Sequence, residues 1–390
     1  MAHYTVISTD CHAGATASQG GFLEYVEAGH RAALREEMTQ AEKRLSETRD
    51  QEKLFAKEFM AEQDETEAAQ AGGRSGAWDP ERRLVELERD GIVADIIFPD
   101  GSQNNAPPFQ AAAGPGAIGA DHKLQAVGAW AYNRWLAEFC ATAPTRHAGL
   151  ALITVHDVPE AVRQIKWAHE NGLRGVLLPS GVGELPFYHA PDYEAVWQVC
   201  AERGLPVHTH VGSATPDYGD HPGSGALFAY ESLWLSHRPL WFLILGGVFE
   251  RHPSLRMVFA EQGADWVPDT LRILDNIVLH MFRHEQGRLS LKPSEYWQRQ
   301  CYVQAMFLSR REARMRNEIG VSTMLWGSDY PHFEGSWPRS KALIGRALAD
   351  VPDAERRAIL CENAAALYGF DLAELDVIGK MVGPDLPETL

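Results

Sequence analysis

Tyr4-Thr5-Val6-Ile7-Ser8-Thr9-Asp10-Cys11-His12 is an apolar, β-branched run that closes on an acid and an imidazole two residues apart. The same pattern recurs far along the chain. Leu205-Pro206-Val207-His208-Thr209-His210, Met257-Val258-Phe259-Ala260-Glu261 and Thr323-Met324-Leu325-Trp326-Gly327-Ser328-Asp329 each end a strand-like run on titratable side chains. β-branched and aromatic runs of this length favour strands. Residues so distant in sequence can act together only if their strands run parallel and deliver their C-terminal ends to one place. A (β/α)8 barrel does this, and its active sites lie on that face.

The rest of the chain fits that reading. Strands are predicted near 4–10, 94–99, 149–154, 174–179, 205–210, 256–261, 301–305 and 323–328. Helices are predicted near 78–90, 121–141, 158–171, 192–203, 226–250, 264–285, 309–319 and 338–349, with a last one at 353–368 outside the barrel. Eight strand–helix units in order favour a closed TIM barrel of the α/β class over an open doubly wound sheet. All of 1–390 is read as one metal-dependent barrel domain. Segment 22–75 breaks the alternation. It is highly charged, with Leu34, Met38, Ala41 and Leu45 at helical spacing, and it ends in Gln70-Ala71-Gly72-Gly73-Arg74-Ser75-Gly76. It is read as a helical insertion after strand one: a solvated hairpin, a lid over the barrel mouth or a dimer arm.

A formal net charge of −17 argues against a nucleic-acid partner and against anchoring to anionic membranes. It leaves room for an anionic small-molecule substrate in a locally basic pocket. Five cysteines without tight spacing make no disulfide framework and point to a reducing cytoplasm. The chain enters a strand directly, so no signal peptide is expected. No apolar run reaches membrane-spanning length. Nothing in the sequence decides between a monomer and a homo-oligomer.

Residues two apart on a strand share a face, so Asp10 pairs with His12 and His208 with His210. One histidine alone would be read as a satisfied core imidazole; the set is read as ligands of a divalent metal. Glu261 is a buried carboxylate that needs a cation, a strong donor or an arginine. Asp329 is a ligand or a turn-capping acid. His332 is a ligand, a proton donor or a group that orients Asp329. The candidate ligand set is therefore Asp10, His12, His208, His210, Glu261, Asp329 and His332. Glu261 and His332 are also the candidate acid–base residues.

On these motifs the chain resembles the amidohydrolase superfamily, in its branch of TIM-barrel metal-dependent hydrolases and decarboxylases. The resemblance implies Asp10, His12, His210 and Asp329 as ligands. His210 is preferred to His208 because Leu205–Gly212 is similar to the branch's LPV-x-x-H-x-G pattern. Two departures stand out. Many members carry a His at the end of strand six, where this chain has Glu261. Binuclear hydrolases bridge their metals with a Lys on strand four, and Gly175-Val176-Leu177-Leu178-Pro179 has none. Three carboxylates and up to four imidazoles are enough for two metals, with Glu261 or Asp329 bridging. A carboxylate–histidine set without sulfur suits iron or manganese.

Glu261-Gln262-Gly263-Ala264-Asp265-Trp266-Val267-Pro268 and Gly327–Gly335 are also similar to a subgroup that includes the TIM-barrel non-haem diiron monooxygenase of platensimycin and platencin biosynthesis. That resemblance implies two Fe2+, O2 and a bulky, diterpenoid-like acyl-CoA substrate in secondary metabolism such as antibiotic biosynthesis. The alternative is a hydrolase or decarboxylase with one Zn2+ or Mn2+. A barrel with a vestigial site is a third reading, disfavoured because purposeless buried acids destabilise. Competing motifs are weak. There is no Walker A loop and no Gly-x-Ser-x-Gly elbow, and Gly114–Gly119 matches a dinucleotide fingerprint without a strand leading into it. Trp234, Trp241 and Trp266 are expected to pack helices against the barrel, with one available to line an apolar pocket.

Overall fold

The computed structural model describes residues 2–15, 21–37, 39, 74–100, 107–109, 121–181, 183, 185–212, 216, 218–219, 221–282, 288–306, 308–332 and 334–386. Eight parallel strands pair in sequence order: β1 Ile7–His12, β2 Ala94–Phe98, β3 His147–Leu152, β4 Gly175–Leu177, β5 Val207–His210, β6 Met257–Gln262, β7 Cys301–Met306 and β8 Met324–Gly327. The seam between β1 and β8 is closed just past β8. Asp329 N–H donates to the Asp10 carbonyl over 2.8 Å, and His12 N–H to that of Tyr330 over 2.6 Å. The sheet is thus a (β/α)8 barrel.

Strand alternation builds two cores. Ala94, Ile96, Phe98, Ala148, Leu150, Val258, Ala260 and Leu325 fill the interior. Ile97, Ala151, Val176, Val207, Phe259 and Val303 pack outward on the helices. Those helices are α1 Pro80–Arg89, α2 His122–Ala141, α3 Val158–Glu170, α4 Glu194–Arg203, α5 Ser224–Leu245, α6 Val267–Asn276, α7 Pro293–Gln300, α8 Arg310–Ile319 and α9 Ser340–Ala347, followed after the run Asp353–Tyr368 by α10 Leu372–Val382. Their starts are written in the sequence. Asp79, Asp121 and Asp157 accept hydrogen bonds from the first-turn amides of α1, α2 and α3, and Ser309 and Glu312 form a capping box on α8.

Some boundaries differ from expectation. β1 starts at Ile7 rather than at residue 4, and Ala2–His3 instead pairs antiparallel with Asp385–Leu386. The helix expected over 226–250 is split into α5, which ends at Leu245, and a short helix Val248–Arg251, with Gly247 between them at φ +70°. The helix expected over 264–285 is α6 plus a wide turn at Ile277–Met281. α7 and α10 were not anticipated. Of the insertion, residues 22–37 hold a turn, a 3-10 turn at Ala28–His30 and helix from 31. Residues 40–73, most of 101–120 including Gly114–Gly119, and parts of 212–225 lie outside the described residues. All five cysteines are buried and free. No helix among the described residues is long and apolar enough to cross a membrane.

Candidate metal centre

Four strand ends converge at the barrel mouth. The β1–β2 register is irregular between Ser8 and Cys11, which lets Asp10 and His12 reach one level. His12 donates its Nδ1 proton to the Pro99 carbonyl over 2.7 Å. Its Nε2 therefore faces inward, 3.3 Å from Oδ1 of both Asp10 and Asp329. From β5, His210 places Nε2 3.5 Å from Asp10 Oδ1 and Nδ1 3.1 Å from Glu261 Oε2. His332 sets Nδ1 2.8 Å from Asp329 Oδ1 and donates through Nε2 to the Asp100 carbonyl at 2.9 Å.

Glu261 and Asp329 sit in the left-handed backbone region, at φ +54° and +56°, which is uncommon for residues other than glycine. Neighbours hold both there. The Glu261 amide donates to Gln304 Oε1 on β7, and the Asp329 amide to the Asp10 carbonyl. Gly327 leaves the space this needs. A Cβ at that position would fall 2.1 Å from Gln304 Nε2 and 2.6 Å from Asp10 Cβ.

Helix α1 and its lead-in support the seam from outside. The buried Arg83 donates to the His12 carbonyl at 2.9 Å and pairs with Asp95 at 2.6 Å. The Glu86 carboxylate accepts the Tyr330 hydroxyl, and Arg74 donates to the Pro331 carbonyl at 2.7 Å.

Donor atoms of Asp10, His12 and His210 lie within 4.8 Å of one another, as do those of His12, Asp329 and His332, and those of Glu261, Asp329, His332 and Glu334. Among the described residues, both carboxylate oxygens of Asp10, both of Asp329 and His12 Nε2 are buried without a well-aligned hydrogen bond, and their near neighbours are one another and the imidazoles of His210 and His332. Buried acceptors left bare are destabilising unless a cation meets them. The donor set, oxygen and imidazole without sulfur, fits a hard or borderline divalent ion.

Electrostatics agree. Burial works to raise the Asp10 carboxyl, but the imidazoles of His12 and His210 outweigh it and hold it below its ordinary value. Asp329 is likewise lowered against its burial, by His332 and His12. Burial pushes Glu261 up to about 8, with Asp329 and Asp10 adding to it against the pull of His210. His210 rises to about 9 despite burial, through Glu261 and Asp10. His332 is raised well above its ordinary value by Asp329 despite burial.

His208 departs from the expectation. Its Nδ1 lies 3.0 Å from the Val176 carbonyl and its Nε2 2.7 Å from the Tyr368 hydroxyl, so both ring nitrogens are engaged by the core. Burial pushes it down to about 3. It shares the inward face with His210 but lies one side-chain layer deeper. Trp234 also departs, standing half exposed rather than packed on the barrel. Trp266 does pack, stacking on His237 with ring centroids 3.8 Å apart. Sequence reasoning missed Gln304 and Glu334. A lone amide inside the apolar run Cys301–Ala305 was the available signal for Gln304. The Pro99 and Asp100 carbonyls left none.

The amidohydrolase family model matches residues 9–370. The chain belongs to the amidohydrolase family. Among curated relatives it is 26% identical over 263 residues to the gamma-resorcylate decarboxylase of Rhodococcus jostii (strain RHA1), covering 61% of this chain and 75% of that protein. It is 22% identical over 314 residues to the 2-amino-3-carboxymuconate-6-semialdehyde decarboxylase of Dictyostelium discoideum, covering 76% and 78%. Two solved structures share the fold along almost the whole chain. One is a dihydroxybenzoic acid decarboxylase from Polaromonas sp. JS666 with bound manganese, at TM-score 0.64 and 19% identity, covering 95% of this chain and 99% of that one. The other is a 5-carboxyvanillate decarboxylase from Novosphingobium aromaticivorans, also with manganese, at TM-score 0.65 and 18% identity, covering 94% and 97%.

Proposed function

We propose that this amidohydrolase is a divalent-metal-dependent, non-oxidative decarboxylase of a small aromatic or enolic acid, with hydrolysis as the neighbouring chemistry of the same site. The observation that carries the reading is the set of buried carboxylate and imidazole atoms of Asp10, His12 and Asp329, without well-aligned hydrogen bonds, with His210 beside them. These four residues would hold one Mn2+ or Zn2+. The named relatives are decarboxylases, and two of the solved ones contain manganese.

A divalent cation there supplies positive charge that orients and polarises a substrate carboxylate. Glu261 is the acid. Burial and its acidic neighbours raise its carboxyl to about 8 in the metal-free protein, and it stands at the rim of the donor set. It gives its proton to the carbon that loses CO2, so one C–C bond breaks, one C–H bond forms, and solvent restores the proton. His332, bridging Asp329 and the Asp100 carbonyl, fixes the Asp329 carboxylate.

A second reading rests on the overlapping donor group of Glu261, Asp329, His332 and Glu334. Two irons sharing Asp329 would support the O2-dependent monooxygenase of a bulky acyl-CoA that the subgroup resemblance implies. Elemental analysis of anaerobically purified protein, with turnover under argon, separates the two. One manganese or zinc per chain and CO2 release from a hydroxybenzoate without air supports the decarboxylase. Two irons per chain, turnover that stops under argon and product labelled from 18O2 overturn it in favour of the monooxygenase.

A further inference from the structure

Asp90 is a buried acid that the metal centre does not use. It closes the C-terminal end of α1 and is 1% exposed. Its carboxylate accepts the Ser340 N–H at 2.8 Å and the Ser340 hydroxyl, both at the start of α9. A helix N-terminus favours an anion there, but burial opposes one. Burial wins and pushes the carboxyl up to about 7. Among the described residues Lys341 of α9 is the charged group that acts on it, drawing it down. Glu86 and Glu88, earlier on α1, are taken up by Tyr330 and Arg146.

From Ser340 a line of buried hydroxyls runs to the turn that carries Asp329. Ser340 Oγ lies 2.6 Å from Ser336 Oγ. The Ser336 N–H and hydroxyl reach the Ser328 carbonyl at 2.8 and 3.3 Å. That carbonyl belongs to the peptide whose N–H, on Asp329, holds the Asp10 carbonyl. A hydroxyl has one proton to give. With Asp90 ionised, Ser340 O–H donates to it, Ser336 O–H turns to Ser340 Oγ, and the Ser328 carbonyl keeps only the Ser336 amide. With Asp90 protonated, its O–H donates to Ser340, Ser340 donates to Ser336, and Ser336 O–H is free for the Ser328 carbonyl. A second donor there polarises the peptide and strengthens the bond its N–H makes to Asp10.

We propose that Asp90 is a positioning residue for Asp329, acting through Ser340 and Ser336: a proton on Asp90 reverses the hydroxyl line, gives the Ser328 carbonyl a second donor and firms the turn that carries the ligand. The proposal rests on the reading of Asp329 as a metal ligand.

Ser328-Asp329 is the only Ser-Asp dipeptide in the chain. The full-length, metal-free protein labelled with carbonyl-13C serine and 15N aspartate therefore gives one carbonyl–amide NMR correlation, and it reports this peptide. In the wild type it should move through a step centred near pH 7. Glu261 and His210 titrate higher, at about 8 and 9, and are common to every variant. Asp90→Asn, whose amide donates to Ser340 as the acid does, should lack the step and stay at its low-pH side. Ser340→Ala keeps Asp90 and its backbone bond but cuts the line, so it should lack the step too, and it decides alone if Asp90→Asn does not fold. A step that survives Ser340→Ala is the direct field of the charge and overturns the relay. A wild type without the step, or a folded Asp90→Asn that keeps it, does the same. In a chelator chase at pH 8, Asp90→Asn should release Mn2+ about two- to fivefold more slowly than wild type, within the worth of one hydrogen bond, and at pH 6 equally fast. Equal release at both pH values overturns the positioning role. A wild type that binds no Mn2+ counts instead against the proposed function, and the NMR step then decides the relay by itself.

Discussion

His332 stacks on His12 with ring centroids 4.0 Å apart and planes 27° apart. The two rings have different tasks. His12 anchors Nδ1 on the Pro99 carbonyl and presents Nε2 to the donor set, whereas His332 anchors Nε2 on Asp100 and turns Nδ1 to Asp329. Stacked imidazoles repel when both are charged, and a metal ligand must give up its proton. A cation held by His12 would keep that ring neutral and spare it repulsion from a charged neighbour.

Asp329 joins both donor groups that contain His332, so its loss should be felt most. Asp329→Asn should weaken metal binding more than ~100-fold, beyond the 10–100-fold typical of residues outside the ligand set. The barrel should still fold, because the side chain is at the mouth and not in the core. Elemental analysis beside circular dichroism checks this, and full occupancy in the variant would remove the ligand assignment.

Metal uptake should release protons. His210 rises to about 9 in the metal-free protein, so near neutrality it must lose a proton to bind. Affinity should then increase as pH rises, roughly tenfold per unit for each proton released, and level off above pH 9. Competition titrations at pH 7 and 8 measure the slope. A flat profile would exclude His210 as a ligand.

Glu261→Gln separates the two functional readings. In a one-metal decarboxylase the variant should keep its metal and lose about 10²–10⁴-fold in turnover, the usual worth of a general acid. In a two-metal enzyme it should drop from two metals to one. Unchanged metal content with near-normal turnover would refute both.

Gln304 should act through the Glu261 backbone. Gln304→Leu removes the acceptor that holds the φ +54° amide, leaving a buried N–H unpaired at about 1–3 kcal/mol. Denaturant unfolding should show that loss with metal stoichiometry unchanged. A variant as stable as wild type would mean that the left-handed turn at Glu261 is held without Gln304.

Acid stability should report on His208. Burial holds its pKa at about 3, while the unfolded chain takes up a proton near 6.5. Its contribution is complete above about pH 6.5 and is lost as pH falls toward 3. The loss approaches 1.4 kcal/mol per unit, or about 2 kcal/mol between pH 6.5 and 5. Urea midpoints for wild type and His208→Gln over that range should diverge in slope. Parallel slopes would show that His208 is not held neutral in the fold.

The barrel was legible because each strand is a β-branched run between amphipathic segments, and the site because its titratable residues end those runs. What stayed hidden depends on depth, register and backbone. Period two places His208 and His210 on one face but not at one level, and only the fold shows that the former reaches Tyr368. The bulges at Ser8–Cys11 and Phe259–Gln262, which re-aim Asp10 and Glu261, have no letter of their own. α7 escaped because Pro293–Gln300 is short and mostly polar, with its two large apolar residues, Tyr296 and Trp297, side by side in the middle. The subgroup motifs suggested oxygen chemistry, whereas the two curated relatives named above are decarboxylases.

The barrel seam has a consequence for when the site can exist. Asp10 and His12 come from the first strand, Asp329 and His332 from the chain just beyond the last, and α1 grips both through Arg83 and Glu86. On the ribosome the first two donors are therefore made some three hundred residues before the other two. Until β8 docks, a nascent chain holds only a fragment of the donor set, so an ion bound by all four residues would be captured only as the barrel closes.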